Sequence, residues 1–206
     1  QRPVFRISTH LAWASSAGAS SSFADRLRTP GGRPSVSTSV PAPTYQVPEG
    51  SITLTHVDDT AEAKQSLGGF GHAIQFRRGA NQTHIAAIDV FGSRYGRNQP
   101  SEEQFTVYIL DQNQNVIREL EFPYAVFQRG REKWNTLSFE PVPVSAEFFI
   151  GVDFHAHQAK GVYLGKDSNV ETSHSYTGTP KTGYKAVNEA FDWMIRAHLV
   201  AVPQEF

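Results

Sequence analysis

From Ile52 onward the chain breaks into short runs in which apolar and polar residues alternate, and this habit constrains its fold more than any other feature. A period of two sends successive side chains to opposite faces of an extended strand, so one face can be buried. Ile52 and Leu54 open the series, and His72, Ile74 and Phe76 share a face in the next run. Ile85–Phe91 is apolar almost throughout, as a centrally placed strand would be. Phe105, Val107 and Ile109 alternate with Thr106 and Tyr108. A polar turn follows at Asp111–Asn115, and Val116, Leu120 and Phe122 resume beyond it, which predicts a hairpin. Further runs are Trp134–Phe139, then Phe148, Ile150, Val152 and Phe154, then Gly161–Gly165. A last stripe is formed by Trp193, Ile195, Ala197 and Leu199. About nine strands at this spacing predict an all-β fold, a two-sheet jelly-roll β-sandwich. The one helical candidate is the short stretch Thr60–Leu67. Trp134 and Trp193, as large aromatics on alternating strands, are expected in the core.

Residues 1–48 follow no such pattern. Ser, Ala, Pro, Gly and Thr fill 28 of these 48 positions, and six of the twelve prolines lie here. Five Arg against one Asp leave this segment at +4, and the remaining 158 residues at −5. It reads as an extended N-terminal arm or linker, followed by a β-sandwich domain over 49–206. Phe5, Ile7, Leu11, Trp13, Phe23 and Leu27 are its expected partner-binding anchors. Its positive charge complements the acidic remainder, on the same chain or on a neighbouring copy.

Composition narrows the function classes. The formal net charge of the whole chain is −1, so no global basic field points to nucleic acid. No apolar run reaches the ~18–20 residues of a membrane span. The absence of cysteine removes disulfides, thiolate metal sites and cysteine nucleophiles. A start at Gln rather than Met, with no cysteine, gives the expectation of an extracytoplasmic protein: periplasmic, cell-surface or secreted.

Three motifs stand out: Gly92-Ser-Arg-Tyr-Gly96, then Phe122-Pro-Tyr-Ala-Val-Phe-Gln-Arg-Gly130 leading to Lys133-Trp134, and Phe191-Asp-Trp-Met-Ile-Arg196. Lys160-Gly-Val-Tyr-Leu-Gly165 lies between the last two. Together, over about Gly50–Leu199, they resemble a bacterial β-sandwich accessory domain of exported or membrane-anchored multidomain proteins. In architecture alone the chain resembles galactose-binding-like jelly rolls. The resemblance implies the fold and an accessory role, and it brings no catalytic residue. Read physically, Gly92 and Gly96 let the backbone turn after a buried strand while Arg94 and Tyr95 project from the corner. Asp192 and Arg196, four apart, are expected on one strand face within a structural polar network that also includes Arg94.

Asp153-Phe-His155-Ala-His157 is the strongest chemical pattern. On an extended strand, positions i, i+2 and i+4 share a face, and a His-x-His pair there can hold zinc if a further ligand arrives. Solvent-facing histidines at a strand end are the simpler reading, so no metal, cofactor or catalytic residue is assigned. No Gly-x-Ser-x-Gly elbow, Walker A loop or His-Glu-x-x-His motif occurs. Gly68-Gly-Phe-Gly71 reads as a strand-entry turn.

Three readings follow. The first is a non-enzymatic interaction or structural subunit, attached by its arm to other protein chains, a large assembly or a homo-oligomer. The second is a carbohydrate-binding accessory module, with stacking faces offered by Tyr95, Tyr124, Tyr163, Tyr176 or Tyr184. The third is a metal-assisted hydrolase built on Asp153, His155 and His157.

Overall fold

The computed structural model describes residues 45–201. The expected arm anchors Phe5, Ile7, Leu11, Trp13, Phe23 and Leu27 lie outside the described residues. In chain order the strands are β1 (Ile52–Leu54), β2 (Ala63–Gln65), β3 (Gly71–Arg77), β4 (His84–Gly96), β5 (Gln104–Leu110), β6 (Val116–Pro123) and β7 (Lys133–Pro143). They continue as β8 (Glu147–Asp153), β9 (Lys160–Asp167), β10 (Ser175–Thr179), β11 (Gly183–Ala186), β12 (Asp192–Trp193) and β13 (Ile195–Val200). A single 3-10 turn, Tyr124–Val126, links β6 to β7. No helix among the described residues is long and apolar enough to cross a membrane.

The strands form two antiparallel sheets. One runs β1-β13-β4-β9-β12, with β7 on the far edge of β4 and β2 on β9. The other runs β11-β10-β3-β8-β5-β6. The chain changes sheet from β2 to β3, β3 to β4, β4 to β5, β6 to β7, β7 to β8, β8 to β9, β9 to β10 and β11 to β12, so strands adjacent in sequence often lie in opposite sheets. This is the all-β two-sheet sandwich that the alternation predicts.

Alternation also decides which side chains meet between the sheets. Ile74 and Phe76 of β3, Phe105, Val107 and Ile109 of β5, and Phe148, Ile150 and Val152 of β8 point inward from one sheet. Ile85, Ile88 and Val90 of β4, with the stripe Trp193, Ile195, Ala197 and Leu199, point inward from the other. The Phe105 ring lies 5.2–5.9 Å from those of Phe122, Tyr124, Phe127 and Phe154. Such offset and edge contacts add specific attraction to the apolar burial. The outer face of the second sheet is covered in one place, where Ala73, Leu110, Phe149 and Tyr184 pack together.

Three local expectations are corrected. The stretch read as a helix at Thr60–Leu67 contains β2, whose Ala63–Gln65 pair with β9; tertiary pairing overrides weak local propensity there. Trp134 is half-buried on the outer face. Leu137 on the same strand points inward, so a residue three positions away points outward by parity. The Trp134 ring packs 5.3 Å from Phe91 and under Arg196, whose guanidinium carbon lies 3.9 Å from a ring centroid. Finally, Asp192 and Arg196 do not lie on one continuous strand, because the strand forks at Met194. The Met194 N–H bonds to the Gly165 carbonyl, and its own carbonyl accepts from Phe91 N–H, both at 3.0 Å. β12 therefore pairs with β9, and β13 pairs with β4.

Candidate functional site

The end of β4 is where two of the sequence motifs meet. Here Tyr95 pairs with Gly161, Arg94 with Val162 and Ser93 with Tyr163 of β9. On its other edge the Arg94 N–H bonds to the Gln128 carbonyl, and Arg94 forms an isolated parallel bridge with Arg129. Gly92-Ser-Arg-Tyr-Gly96 and the Gln128-Arg129-Gly130 end of the second motif are thus neighbours in space, although about 35 residues separate them in the chain.

Two clefts open on either side of Arg94 and Tyr95. The larger, about 630 Å³, is bounded by the Arg97–Glu103 loop, Tyr124, His157 and Lys160. The smaller, about 430 Å³, is lined by Lys64, Ser93, Asn98, Arg129, Gly130 and Tyr163. Tyr95 is held between them, its hydroxyl donating to the His157 carbonyl at 2.9 Å. A side chain at Gly161 would overlap the Tyr95 ring, so the bare backbone at 161 is the seat of that ring. Gly96, at φ +93°, lies against the Ala159 carbonyl where no Cβ would fit. The Tyr163 ring lies 4.8 Å from Tyr95, tilted by 38°, and is 38% exposed. The Lys64 ammonium stands 5.4 Å from the Tyr163 centroid.

The charges are arranged unequally. Lys64 is paired with Glu132, which also accepts from Ser93 Oγ at 3.0 Å. In the larger cleft Lys160 pairs with Glu103 and stands 5.3 Å from the Tyr124 ring centroid. The Lys160 hydrogen bond holds the Glu103 carboxyl below its ordinary range. Burial raises the Tyr124 phenol well above its ordinary value, and among the described residues its hydroxyl has no partner. Among the described residues Arg94 and Arg129 meet only neutral acceptors. Arg94 donates to the carbonyls of Arg97 and Asn98, and Arg129 donates to Asn98 Oδ1 at 3.0 Å.

Of the five tyrosines read as stacking faces, Tyr95 and Tyr163 pack ring against ring at a cleft, with Tyr163 open to solvent, whereas Tyr124 is a buried part of the larger cleft's wall. Tyr124 and Tyr184 are buried, and Tyr176 packs edge-on against Phe149 with centroids 5.0 Å apart. Of Asp153, His155 and His157 the structure brings the first two together, His155 Nδ1 lying 3.3 Å from Asp153 Oδ2, but among the described residues the three do not converge. β8 ends at Asp153, and His155 turns to φ +44°, its backbone N–H bonding to Asp153 Oδ1 at 2.8 Å. His155 Nε2 then meets Thr106 Oγ1 at 2.9 Å, while His157 Nδ1 accepts from Ala159 N–H at 3.2 Å. The period-two argument fails because the strand ends at Asp153, the first residue of the pattern.

A different His/Asp group converges. The ligating atoms of His56, His174 and Asp192 lie within 4.8 Å of one another. Asp192 is fully buried. It accepts from the His174 backbone N–H at 2.6 Å, from Ser175 Oγ at 3.0 Å and from His174 Nδ1 at 3.0 Å. His56 Nε2 donates to the Gln75 carbonyl at 2.9 Å. The two imidazoles stack 3.7 Å apart and 7° from parallel, and His56 also stacks on Phe76. Lone pairs lie in the ring planes, so parallel rings aim them side by side rather than at a common point. The three residues form a clamp that ties the β1–β2 loop to β10 and β12, and one ring would have to leave the stack to share an ion. Sequence reading placed Asp192 in a polar network, with nothing to join it to His56 or His174.

What fold and site define together is an all-β two-sheet domain with a basic, tyrosine-bearing cleft at one corner. No protein-family model matches the chain, and no curated protein sequence matches it.

Proposed function

We propose that this domain is a non-enzymatic carbohydrate-binding module whose site is the cleft between Tyr95 and Tyr163. The observation that carries the reading is the pair itself: two tyrosines, one seated on Gly161 and one open to solvent, with polar side chains around them. An exposed ring offers an apolar face to the C–H face of a sugar. Asn98 and Lys64 line the same cleft and offer an amide and an ammonium to sugar hydroxyls. The second tyrosine holds its neighbour in place, so little side-chain entropy is lost on binding.

The first reading drawn from sequence, a subunit attached through its arm, rests on residues outside those described. It is compatible with a sugar-binding domain and is tested separately below.

Screening the full chain against immobilised oligosaccharides, followed by calorimetric titration of the hits, tests the proposal. Tyr163→Ala is expected to weaken binding at least ~10-fold, as loss of a stacking face would, while leaving the melting temperature within a degree or two. Saccharide binding that survives Tyr163→Ala, or no saccharide binding at all, would sink it.

A further inference from the structure

Arg94 and Arg129 are held side by side without a counter-charge. Their backbones bridge, and among the described residues neither guanidinium forms an ion pair with a carboxylate. Both line the smaller cleft. The nearby carboxylate, Glu132, is already engaged by Lys64 and Ser93. Burial and the adjacent Arg129 charge both work against the charged form of Arg94. A guanidinium has five N–H donors. Arg94 spends two on the carbonyls of Arg97 and Asn98, and Arg129 spends one on Asn98 Oδ1, so most donors of both remain unspent.

Two like charges kept together by neutral carbonyls cost stability in the free protein, and a bound anion relieves that cost. The planar donor forks match the oxygens of a carboxylate or a sulfate. Their place beside Tyr95 and Tyr163 means that an anion seated on the arginines can belong to a ring stacked on the tyrosines. We infer that the cleft recognises an acidic saccharide, with a ring carboxylate or sulfate ester held by Arg94 and Arg129. This inference rests on the carbohydrate-binding reading above.

The test is titration calorimetry of the full chain with three probes: a uronic-acid oligosaccharide, the same oligosaccharide with its carboxyls methyl-esterified, and inorganic sulfate. A sulfated oligosaccharide, compared with its desulfated form, separates the two anionic groups. The acidic sugar should bind at least ~10-fold more tightly than its ester, with an affinity that falls as salt rises. Arg129→Gln should remove that preference, bringing the affinities for acid and ester to within about twofold of each other. Arg129 is exposed, so this variant is expected to fold normally; Arg94→Gln, which releases two loop carbonyls, is the second variant. Equal binding of acid and ester, or an unchanged preference in Arg129→Gln, would overturn the inference and leave the carbohydrate reading standing. Binding of sulfate alone as tightly as of the acidic sugars would overturn the assignment to a saccharide. Failure of every sugar to bind would overturn both.

Discussion

His72 and Trp193 meet edge to face in the core, their ring centroids 4.6 Å apart. His72 is fully buried, and its two ring nitrogens face the Val152 and Gln65 carbonyls without completing a hydrogen bond. Burial lowers its pKa from 6.5 to about 4. Between those values the unfolded chain carries a proton on this residue that the folded protein does not. The contribution is therefore complete above pH 6.5 and declines as pH falls toward about 4, at up to ~1.4 kcal/mol per pH unit. His72→Leu should flatten the fall of melting temperature across this window. A smaller slope should remain from His56, lowered in the same direction by burial and by His174. An unchanged slope in His72→Leu would show that other groups govern acid sensitivity. The two tryptophans separate equally cleanly. Trp193→Ala should cost ~3–5 kcal/mol because it empties core volume. Trp134→Ala should cost only ~1 kcal/mol, the value of a surface stack on Arg196. Denaturant midpoints measured with constant m-values check both, and equal losses would refute the placement of Trp134 on the outer face.

Between single residues and whole sheets, the fork at Met194 and the seat at Gly161 show how elements place chemistry. The fork lets one segment of chain serve two strands, and it leaves Asp192 at the point where β12 meets the Ser173–Ser175 segment. Asp192→Asn keeps the shape but loses the charge and one acceptor oxygen among several donors. A loss of ~2 kcal/mol is expected, together with loosening of the His56–His174 stack seen as shifts of the imidazole NMR signals. Unmoved imidazole signals would show that the stack stands without the carboxylate. At the cleft, Gly161→Ala should push the Tyr95 ring off its seat. Cooperative unfolding should persist while saccharide affinity drops. Retained affinity would show that Tyr95 is dispensable to binding.

At the scale of the molecule, the described residues 45–201 hold both sheets and their shared core. Removing residues 1–44 should therefore leave a single cooperative thermal transition, with Tyr45 retained against Phe122 at a centroid distance of 5.5 Å. If the +4 N-terminal segment attaches the domain to other chains, the same truncation should weaken association in native mass measurements and leave sugar titrations unchanged. Unfolding of the truncated chain would mean that the core depends on the removed segment. Unchanged association would remove the arm from any assembly role.

Periodicity alone was enough for the fold class and for most of the core. Ile74, Phe76, Val107, Ile109, Phe148, Ile150 and the stripe from Trp193 to Leu199 lie on the faces that alternation assigns. Burial of one strand face is a local property, so it is written in a local pattern. Tyr95 and Tyr163 were legible as candidate stacking residues, but only among five tyrosines of equal standing. Which two would meet depends on β4 pairing with β9, and strand register is set by the whole core rather than by the residues it brings together. The same holds for Arg94 and Arg129, which become neighbours only when the β6–β7 connection folds beside the end of β4. The side of the sheet that Trp134 faces, the early end of β8 at Asp153 and the meeting of His56 with His174 are likewise tertiary decisions. Each turns on a one-residue change of parity or on contacts between distant segments, and no local pattern encodes either.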